Sequence, residues 1–301
     1  MHMSERHRWV HLLLIAVTLS WGLNNIVMKL GFAHLTPQQF GGMRMLMVLP
    51  FMIYLAGFLP GRRKFAKKDG IKIALIGAVG MGMFQVFFPL GVHYTSAPVG
   101  GILLATMPVH VVLLSLVFRL ERPGWKSITG VLLTIAGLAV ITLASENGQN
   151  SGETTLWGVF FLVTAELGFA VYTTFLRPYM KRYSSLQVAG LAMAVSVVVY
   201  FLAFAPQIIQ IDLSTLPASA WGATAYSGLF ALFIANVLWN ISVKYIGSTK
   251  VSVYGNLPTV FVLLFSALIF GDLLRYQQLV GAVIILAGVI LVQLRKREVV
   301  T

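Results

Sequence analysis

Apolar runs of membrane-spanning length follow one another along almost the whole of this 301-residue chain. A run of about 18 or more residues with few charges is long enough, as a helix, to cross the roughly 30 Å hydrocarbon layer of a bilayer. A helix also satisfies its own backbone polar groups, which lipid cannot do. Since 58% of the residues are hydrophobic and only 10% are charged, no segment is left for a sizeable soluble domain. The sequence therefore predicts an all-α integral membrane protein.

The apolar runs and the polar stretches between them predict ten transmembrane helices. The polar stretches are short, apart from one linker rich in Asn, Gly, Ser and Glu that divides the chain into halves. The predicted spans are Trp9–Leu30, Phe40–Leu59, Ile71–Tyr94, Val99–Arg119, Ile128–Ala144, Leu156–Tyr179, Leu186–Ala205, Ala220–Val243, Val251–Phe270 and Gln278–Leu294.

The basic residues are concentrated in alternate loops. The 22 Lys and Arg residues outnumber the 9 Asp and Glu residues, and most of them fall on one side of the membrane if the N-terminus is cytoplasmic. We therefore predict that both termini are cytoplasmic. Membrane topology accounts for this dispersed charge, so nucleic acid is not expected as a partner. The basic segments are Arg62–Lys72, Arg119–Lys126, Arg177–Arg182, Lys244–Lys250 and Arg295–Arg297.

The residue types and motifs of several catalytic classes are missing from the sequence. The chain has no cysteine, which excludes disulfides, thiolate metal sites and a cysteine nucleophile. It contains no GxGxxG, P-loop, zinc-ligand cluster or nucleophile triad. We therefore expect no cofactor, no metal, no enzymatic activity and no ATP hydrolysis by this chain alone.

The two halves of the chain share a sequence pattern. A shift of 151 residues, with a slip of one residue, aligns an aromatic residue, a proline within a helix, an acid after an apolar run and two glycines. A shift of 148 residues aligns Trp9 with Trp157 and Lys29 with Arg177 at the start of the two halves. The pairs under the first shift are Tyr94 and Tyr245, Pro108 and Pro258, Glu121 and Asp272, Gly130 and Gly281, and Gly137 and Gly288.

Because each half contains five spans, an odd number, the second half must enter the membrane upside down relative to the first. This is the arrangement of inverted-topology repeats, in which one pattern supplies an outward-facing and an inward-facing form. Alternating access in a transporter would follow. The expected divisions are 1–8 for the N-terminal tail, 9–144 for the first repeat, 145–155 for an extracytoplasmic linker, 156–294 for the second repeat and 295–301 for a basic cytoplasmic tail.

The tracts Tyr94–Gly137 and Tyr245–Gly288 resemble the EamA domain of the drug/metabolite transporter superfamily. The shared features are Tyr-Thr-Ser-Ala, a proline within a helix, an acid after an apolar run and Gly-x6-Gly. The resemblance implies ten helices in the bacterial inner membrane and the carriage of a small solute, often the export of amino acids or other metabolites with proton exchange. In this chain Asp272 stands where the family usually has Glu.

Two polar stripes are expected to face a central cavity. Residues three to four apart share one face of a helix, and the first and sixth spans carry equivalent stripes. Glu166 lies near the middle of the sixth span, where a carboxyl group is costly and intramembrane acids are functional candidates. One hypothesis is that Glu166 exchanges a proton against the solute, and the alternative is a structural acid. The stripes are Glu166, Ala170, Thr173 and Arg177, and Thr18, Gly22, Asn25 and Lys29.

Other polar side chains within the spans have two interpretations each. Arg44 could bind a solute carboxylate, act in a gate or form a structural ion pair. Gln85 aligns with Asn236, and Asn240 lies one turn beyond Asn236; these amides suit either solute binding or contacts between helices. His110 is either a proton relay or a histidine satisfied within the bundle.

Prolines and aromatic residues complete the candidates. Pro108 and Pro258 interrupt equivalent helices and are candidate hinges. Tyr172, Trp239 and Tyr254 are candidates for the lining of a solute pocket, with core or lipid packing as the alternative.

The sequence therefore favours a secondary transporter that exports a small polar or amphipathic solute, preferably amino-acid-like, in exchange for protons. A proton-coupled importer or a facilitator is one alternative, and a non-transporting membrane sensor or scaffold is another. The expected partners are the solute, protons and the lipid bilayer, and a homodimer is compatible with the sequence.

Overall fold

In the computed structural model the described residues are 8–118, 124–146, 154–246, 254–255, 257–271 and 276–293, and every regular element among them is helical. The tail 1–7, most of the central linker and the C-terminal tail lie outside the described residues. The helices are α1 (Arg8–Gly31), α2 (Pro37–Gly57), α3 (Lys67–Ile76), α4 (Gly82–His93), α5 (Ala97–Leu104), α6 (Met107–Val117), α7 (Trp125–Glu146), α8 (Leu156–Met180), α9 (Ser185–Ile209), α10 (Ala218–Ala225), α11 (Ala235–Ile246), α12 (Leu257–Phe270) and α13 (Tyr276–Gln293).

Seven segments of the described chain are long and apolar enough to cross a membrane as helices. Three further apolar helices are shorter: Ile128–Val140, Leu257–Phe270 and Leu279–Leu291. Large apolar side chains such as Leu202 and Ile209 are 81% exposed on the outer surface, which suits contact with lipid rather than water. The chain is therefore a helical bundle with an apolar exterior.

Two of the long segments contain a π-helical stretch. Gly77–Met81 joins α3 to α4, and Tyr226–Ile234 joins α10 to α11. The two stretches occupy equivalent places, since the shift of 151 residues takes Gly77 to Gly228. A π turn adds a residue to the helical ladder and is often found at functional sites.

The predicted fourth span is divided into two helices. α5 ends at Leu104, and Ala105 and Thr106 form a turn before α6 begins at Met107. Pro108 stands in the first turn of α6, where a helix tolerates proline because the amide there needs no partner within the helix. Pro258 likewise lies in the first turn of α12 and is buried. Both prolines therefore stand at helix starts.

Helices that are equivalent in the two halves pack against each other and run antiparallel. A Cβ atom on Gly288 would lie 2.5 Å from the Gly130 carbonyl oxygen, and one on Gly137 would lie 2.8 Å from the Gly281 carbonyl oxygen. Residue numbers thus rise along α7 while they fall along α13. These glycines therefore permit close packing of the two helices.

Each helix of one half packs against helices that are equivalent to the neighbours of its counterpart in the other half. α2 packs against its equivalent α9, also antiparallel, since Gly41 contacts Tyr200 while Gly190 contacts Met52 and Leu55. α1 packs against α11 and α12, as α8 packs against α4 and α6. The described bundle therefore has approximate twofold symmetry in its contacts.

Candidate functional site

A buried arginine joins helices of both halves. Arg44 lies in the N-terminal half of α2 and is 2% exposed. Its Nη2 donates to Gln85 Oε1 of α4 at 2.6 Å, and its Nη1 donates to Ser227 Oγ of the second π segment at 3.3 Å. The guanidinium carbon lies 5.6 Å from the centre of the Phe88 ring. These contacts fix the guanidinium group between the two halves.

No acidic side chain pairs with Arg44 among the described residues. The ion pair found in this part of the chain joins Arg182 and Asp69 instead. The Nε of Arg44 is also buried without an acceptor. Removing a charge from water costs several kcal/mol unless a counter-charge and hydrogen bonds offset that cost. The arginine is therefore only partly satisfied, and the structural ion pair considered for it is not found in this part of the chain.

Two further residues of α1 extend this cluster. Arg44 Nη1 lies 3.8 Å from Met28 Sδ, and Asn24 Nδ2 lies 3.3 Å from the same sulfur atom. The Oδ1 of Asn24 is buried without a hydrogen-bond partner. We call Asn24, Met28, Arg44, Gln85 and Ser227 the arginine cluster.

Glu166 lies elsewhere in the bundle, on α8. It is 4% exposed, and in the described chain its carboxyl group has no hydrogen bond and no ion pair. One turn before it, Leu162 packs against Gly91 of α4, and two residues after it Gly168 packs against Gly80. α8 therefore holds an isolated acid at its contact with the third span.

The polar stripe expected along α8 is divided between two environments. Glu166 and Ala170 are buried, whereas Thr173 and Arg177 are exposed. The Thr173 hydroxyl donates to the Phe169 carbonyl of its own helix at 2.8 Å. Tyr172 is buried, its ring stacks on Phe169, and its hydroxyl group has no partner.

The equivalent stripe of α1 is packed against other helices. Thr18 and Asn25 are buried, and Asn25 Nδ2 donates to the Trp21 carbonyl at 3.3 Å. α1 has its main contacts with α11 and α12, whereas α8 has its own with α4 and α6. The structure thus gives the two stripes separate neighbours.

The candidates of α11 form a second polar region. Asn240 Nδ2 donates to the Asn236 carbonyl at 2.8 Å, and Asn236 Nδ2 donates to the Leu232 carbonyl at 2.7 Å. Both amides border a small cavity beside α2 and α9, whose walls include Met52 and Met193. Gln85, the counterpart of Asn236, belongs instead to the arginine cluster.

Trp239 and Tyr254 lie beside α1. The Trp239 ring lies 5.0 Å from that of Trp21, and both Trp239 and Tyr254 pack against Val10 and Leu14. The Tyr254 hydroxyl is 2.6 Å from His11 Nδ1. In this conformation they pack between helices.

His110 is buried on α6, and its Nδ1 lies 3.1 Å from the Thr106 carbonyl oxygen. That oxygen stands at the turn between α5 and α6, where the helical ladder is interrupted. A ring nitrogen bonded to this carbonyl is consistent with a histidine satisfied within the bundle.

An open cavity of about 410 Å³ lies at the C-terminal ends of α1 and α4. It is lined by Lys29, Phe32, Ala33, His93 and Phe270. Lys29 Nζ donates to the Thr95 carbonyl at 2.5 Å, and the His93 ring packs edge-on against Phe32. The cavity thus combines basic and aromatic side chains.

Residues 8–143 and 156–294 each match the profile of the EamA-like transporter family. A "Probable terminal-alkyne amino-acid exporter" of Streptantibioticus cattleyicolor is 33% identical over 237 residues, covering 78% of this chain and 77% of the relative. A "Probable amino-acid metabolite efflux pump" of Salmonella typhimurium is 24% identical over 95% of this chain and 94% of its own. A solved structure at 18% identity shares the fold, with a TM-score of 0.61 over 94% of this chain and 95% of that chain.

Proposed function

Since the chain belongs to the EamA-like transporter family, we propose that it is a secondary transporter that exports a small amino-acid-like solute in exchange for protons. It is a multi-pass membrane protein. The observation that carries the proposal is that both halves match a transporter family, within a bundle that holds polar and ionisable groups in an apolar interior.

The choice of solute and direction is supported by two relatives whose names describe export of amino-acid compounds. Both are similar to this chain over more than three quarters of its length. Intramembrane groups that could bind a polar solute are present here in the arginine cluster. We therefore propose outward transport of a solute with an amino-acid-like head group.

We further propose ten crossings, formed by the seven long segments and the three shorter apolar helices, with both termini cytoplasmic. Inverted insertion of the two repeats is supported by the antiparallel packing of α2 with α9 and of α7 with α13. Two such repeats can form an outward-facing and an inward-facing state by exchanging their conformations. The solute would pass between them.

Glu166 is proposed as the proton-exchanging group. Its carboxyl group is buried and lacks a hydrogen-bond or ion-pair partner in the described chain. Burial disfavours the charged form of a carboxyl group, whereas contact with water or with an ammonium group favours it. A change of environment between the two states would therefore change its protonation.

Flux in proteoliposomes tests this coupling. Radiolabelled L-alanine, L-leucine and L-phenylalanine are followed with and without an imposed pH gradient. In the wild type the gradient should accelerate solute movement against the proton flow. Glu166→Gln should lose this acceleration while it retains exchange of labelled for unlabelled solute, because glutamine cannot carry the proton.

The matched control is Asp212→Asn, since Asp212 is an exposed acid in the loop between α9 and α10. It should behave like the wild type. If Glu166→Gln keeps full acceleration by the gradient, Glu166 is not the coupling group. Solute binding without flux in the wild type would contradict transport and favour a sensor.

A further inference from the structure

The arginine cluster contains two buried groups of opposite hydrogen-bonding character that lack partners. Nε–H of Arg44 is a donor without an acceptor, and Oδ1 of Asn24 is an acceptor without a donor. The residues are 2% and 5% exposed. Buried polar atoms in folded proteins are nearly always paired. Two unpartnered polar atoms in one cluster indicate that a ligand forms the missing hydrogen bonds.

The two groups require different chemistry from that ligand. A guanidinium group pairs best with a planar anion, above all a carboxylate that accepts two hydrogen bonds. A carbonyl oxygen of an amide accepts from a cation such as an ammonium group. The ligand should therefore carry a carboxylate and an ammonium group.

Asn24 and Arg44 lie close to each other in the cluster. Asn24 Nδ2 and Arg44 Nη1 contact the same Met28 sulfur atom, at 3.3 Å and 3.8 Å. The two nitrogen atoms are therefore no farther apart than these two distances together. An α-amino acid carries its carboxylate and its ammonium group on one carbon atom, so it is a class of ligand in which the two groups are also close together.

A series of apolar contacts links the open cavity to the arginine cluster. Its wall residue Phe32 contacts Phe40 edge-on, with ring centres 5.5 Å apart. Phe40 belongs to the same buried apolar cluster as Met28 and Phe88, which both contact Arg44. In the conformation described, packed apolar side chains thus connect the cavity with the cluster. Entry of a solute from this cavity would require these apolar side chains to move apart.

We infer that Arg44 and Asn24 form the subsite for the head group of an α-amino acid, with Arg44 binding the carboxylate and Asn24 the ammonium group. Gln85 and Ser227 hold the guanidinium group in place. Ser227 belongs to the second repeat, so the subsite lies where the two repeats meet. This inference rests on the proposed transport of an amino-acid-like solute.

Thermal stabilisation of the detergent-purified protein tests the subsite without requiring flux. Three sets of probes are used, based on alanine, leucine and phenylalanine. Each set contains the L-amino acid, its carboxamide, and the carboxylic acid that lacks the amino group: propionate, 4-methylpentanoate or 3-phenylpropionate. The wild type should bind the amino acid of at least one set roughly tenfold or more tightly than either analogue, because each analogue leaves one buried group unpaired.

Single substitutions should remove one preference at a time. Arg44→Gln should bind the amino acid and its carboxamide equally, and Arg44→Lys should keep part of the preference for the carboxylate. Asn24→Leu should bind the amino acid and its desamino analogue equally while it still prefers the carboxylate to the carboxamide. Arg62→Gln, the same change in an exposed loop, should retain both preferences.

Two results would overturn the subsite. One is a wild type that binds no probe or binds carboxamides as tightly as amino acids, even where flux of another solute upholds transport itself. The other is an Arg44→Gln protein that still prefers the carboxylate to the carboxamide. The same conclusion follows if Arg44→Gln and Arg44→Lys both lose all ligands equally while the unfolding temperature of Arg44→Gln without ligand is unchanged.

Discussion

Tyr200 connects α9 to the first turn of α2 through its hydroxyl group. The ring is fully buried, and the hydroxyl donates to the carbonyl oxygens of Gln38 at 3.0 Å and Pro37 at 3.3 Å. Gly41 leaves the space that this ring fills. The contact ties together two equivalent helices of the two halves.

Replacing Tyr200 with Phe should lower the free energy of unfolding by about 1 kcal/mol, the usual net contribution of a buried hydrogen bond. The measurement is denaturant unfolding in detergent. Tyr54→Phe serves as the control, because Tyr54 is half exposed on α2. Loss of the Tyr54 hydroxyl group should not change the free energy of unfolding measurably. Equal unfolding free energies for the two variants would show that the Tyr200 hydrogen bonds contribute nothing net.

The sequence pointed to Arg44 and Gln85 separately, because a charge or an amide inside an apolar span is conspicuous. It did not indicate that they contact each other, since side chains from different helices have no fixed spacing in the chain. Asn24 and Ser227 were missed because asparagine and serine within a helix are commonly satisfied by their own backbone. Helical periodicity favours Asn25, one residue on, instead of Asn24.

The contact between α7 and α13 depends on glycine. Each helix brings one face of small residues to the other, and the four glycines were recognisable from their repeated spacing of seven residues. A Cβ atom added at Gly288 would meet the Gly130 carbonyl oxygen at 2.5 Å and the Thr134 hydroxyl at 2.5 Å. The helices would have to move apart to admit it.

Gly288→Ala should therefore destabilise the protein by about 1–3 kcal/mol, the usual cost of inserting an atom into a packed contact. Thermal and denaturant unfolding in detergent measure this. Gly222→Ala is the matched control on α10, since nothing lies within 4 Å of its added Cβ atom; it should be neutral or stabilising by up to about 1 kcal/mol. A Gly288→Ala protein as stable as that control would contradict the close packing of α7 and α13.

The π-helical segments were not predictable from periodicity. Apolar patterning assumes 3.6 residues per turn, and a short stretch of wider turns does not change which residues are apolar. A weak signal existed in the equivalent glycines Gly77 and Gly228, which lie against the backbones of Ala192 and Arg44. Those two neighbours are themselves equivalent under the shift of 148 residues.

For the whole molecule, hydropathy and the internal repeat predicted an all-helical membrane protein built from two repeats. The family assignment is confirmed by matches over both halves. The interior could not be predicted to the same degree, because inward and lipid-facing sides of these spans are both apolar and periodicity alone does not separate them. The separate neighbours of α1 and α8 are an example.

The central claim is that the two repeats are inserted in opposite orientations, and single cysteines test it directly because the chain has none of its own. Lys64 and Leu213 are exposed residues in equivalent loops, between α2 and α3 and between α9 and α10. A membrane-impermeant maleimide applied to intact cells should label Leu213→Cys, whereas Lys64→Cys should be labelled only after permeabilisation. Labelling of both from the same side would contradict inverted insertion.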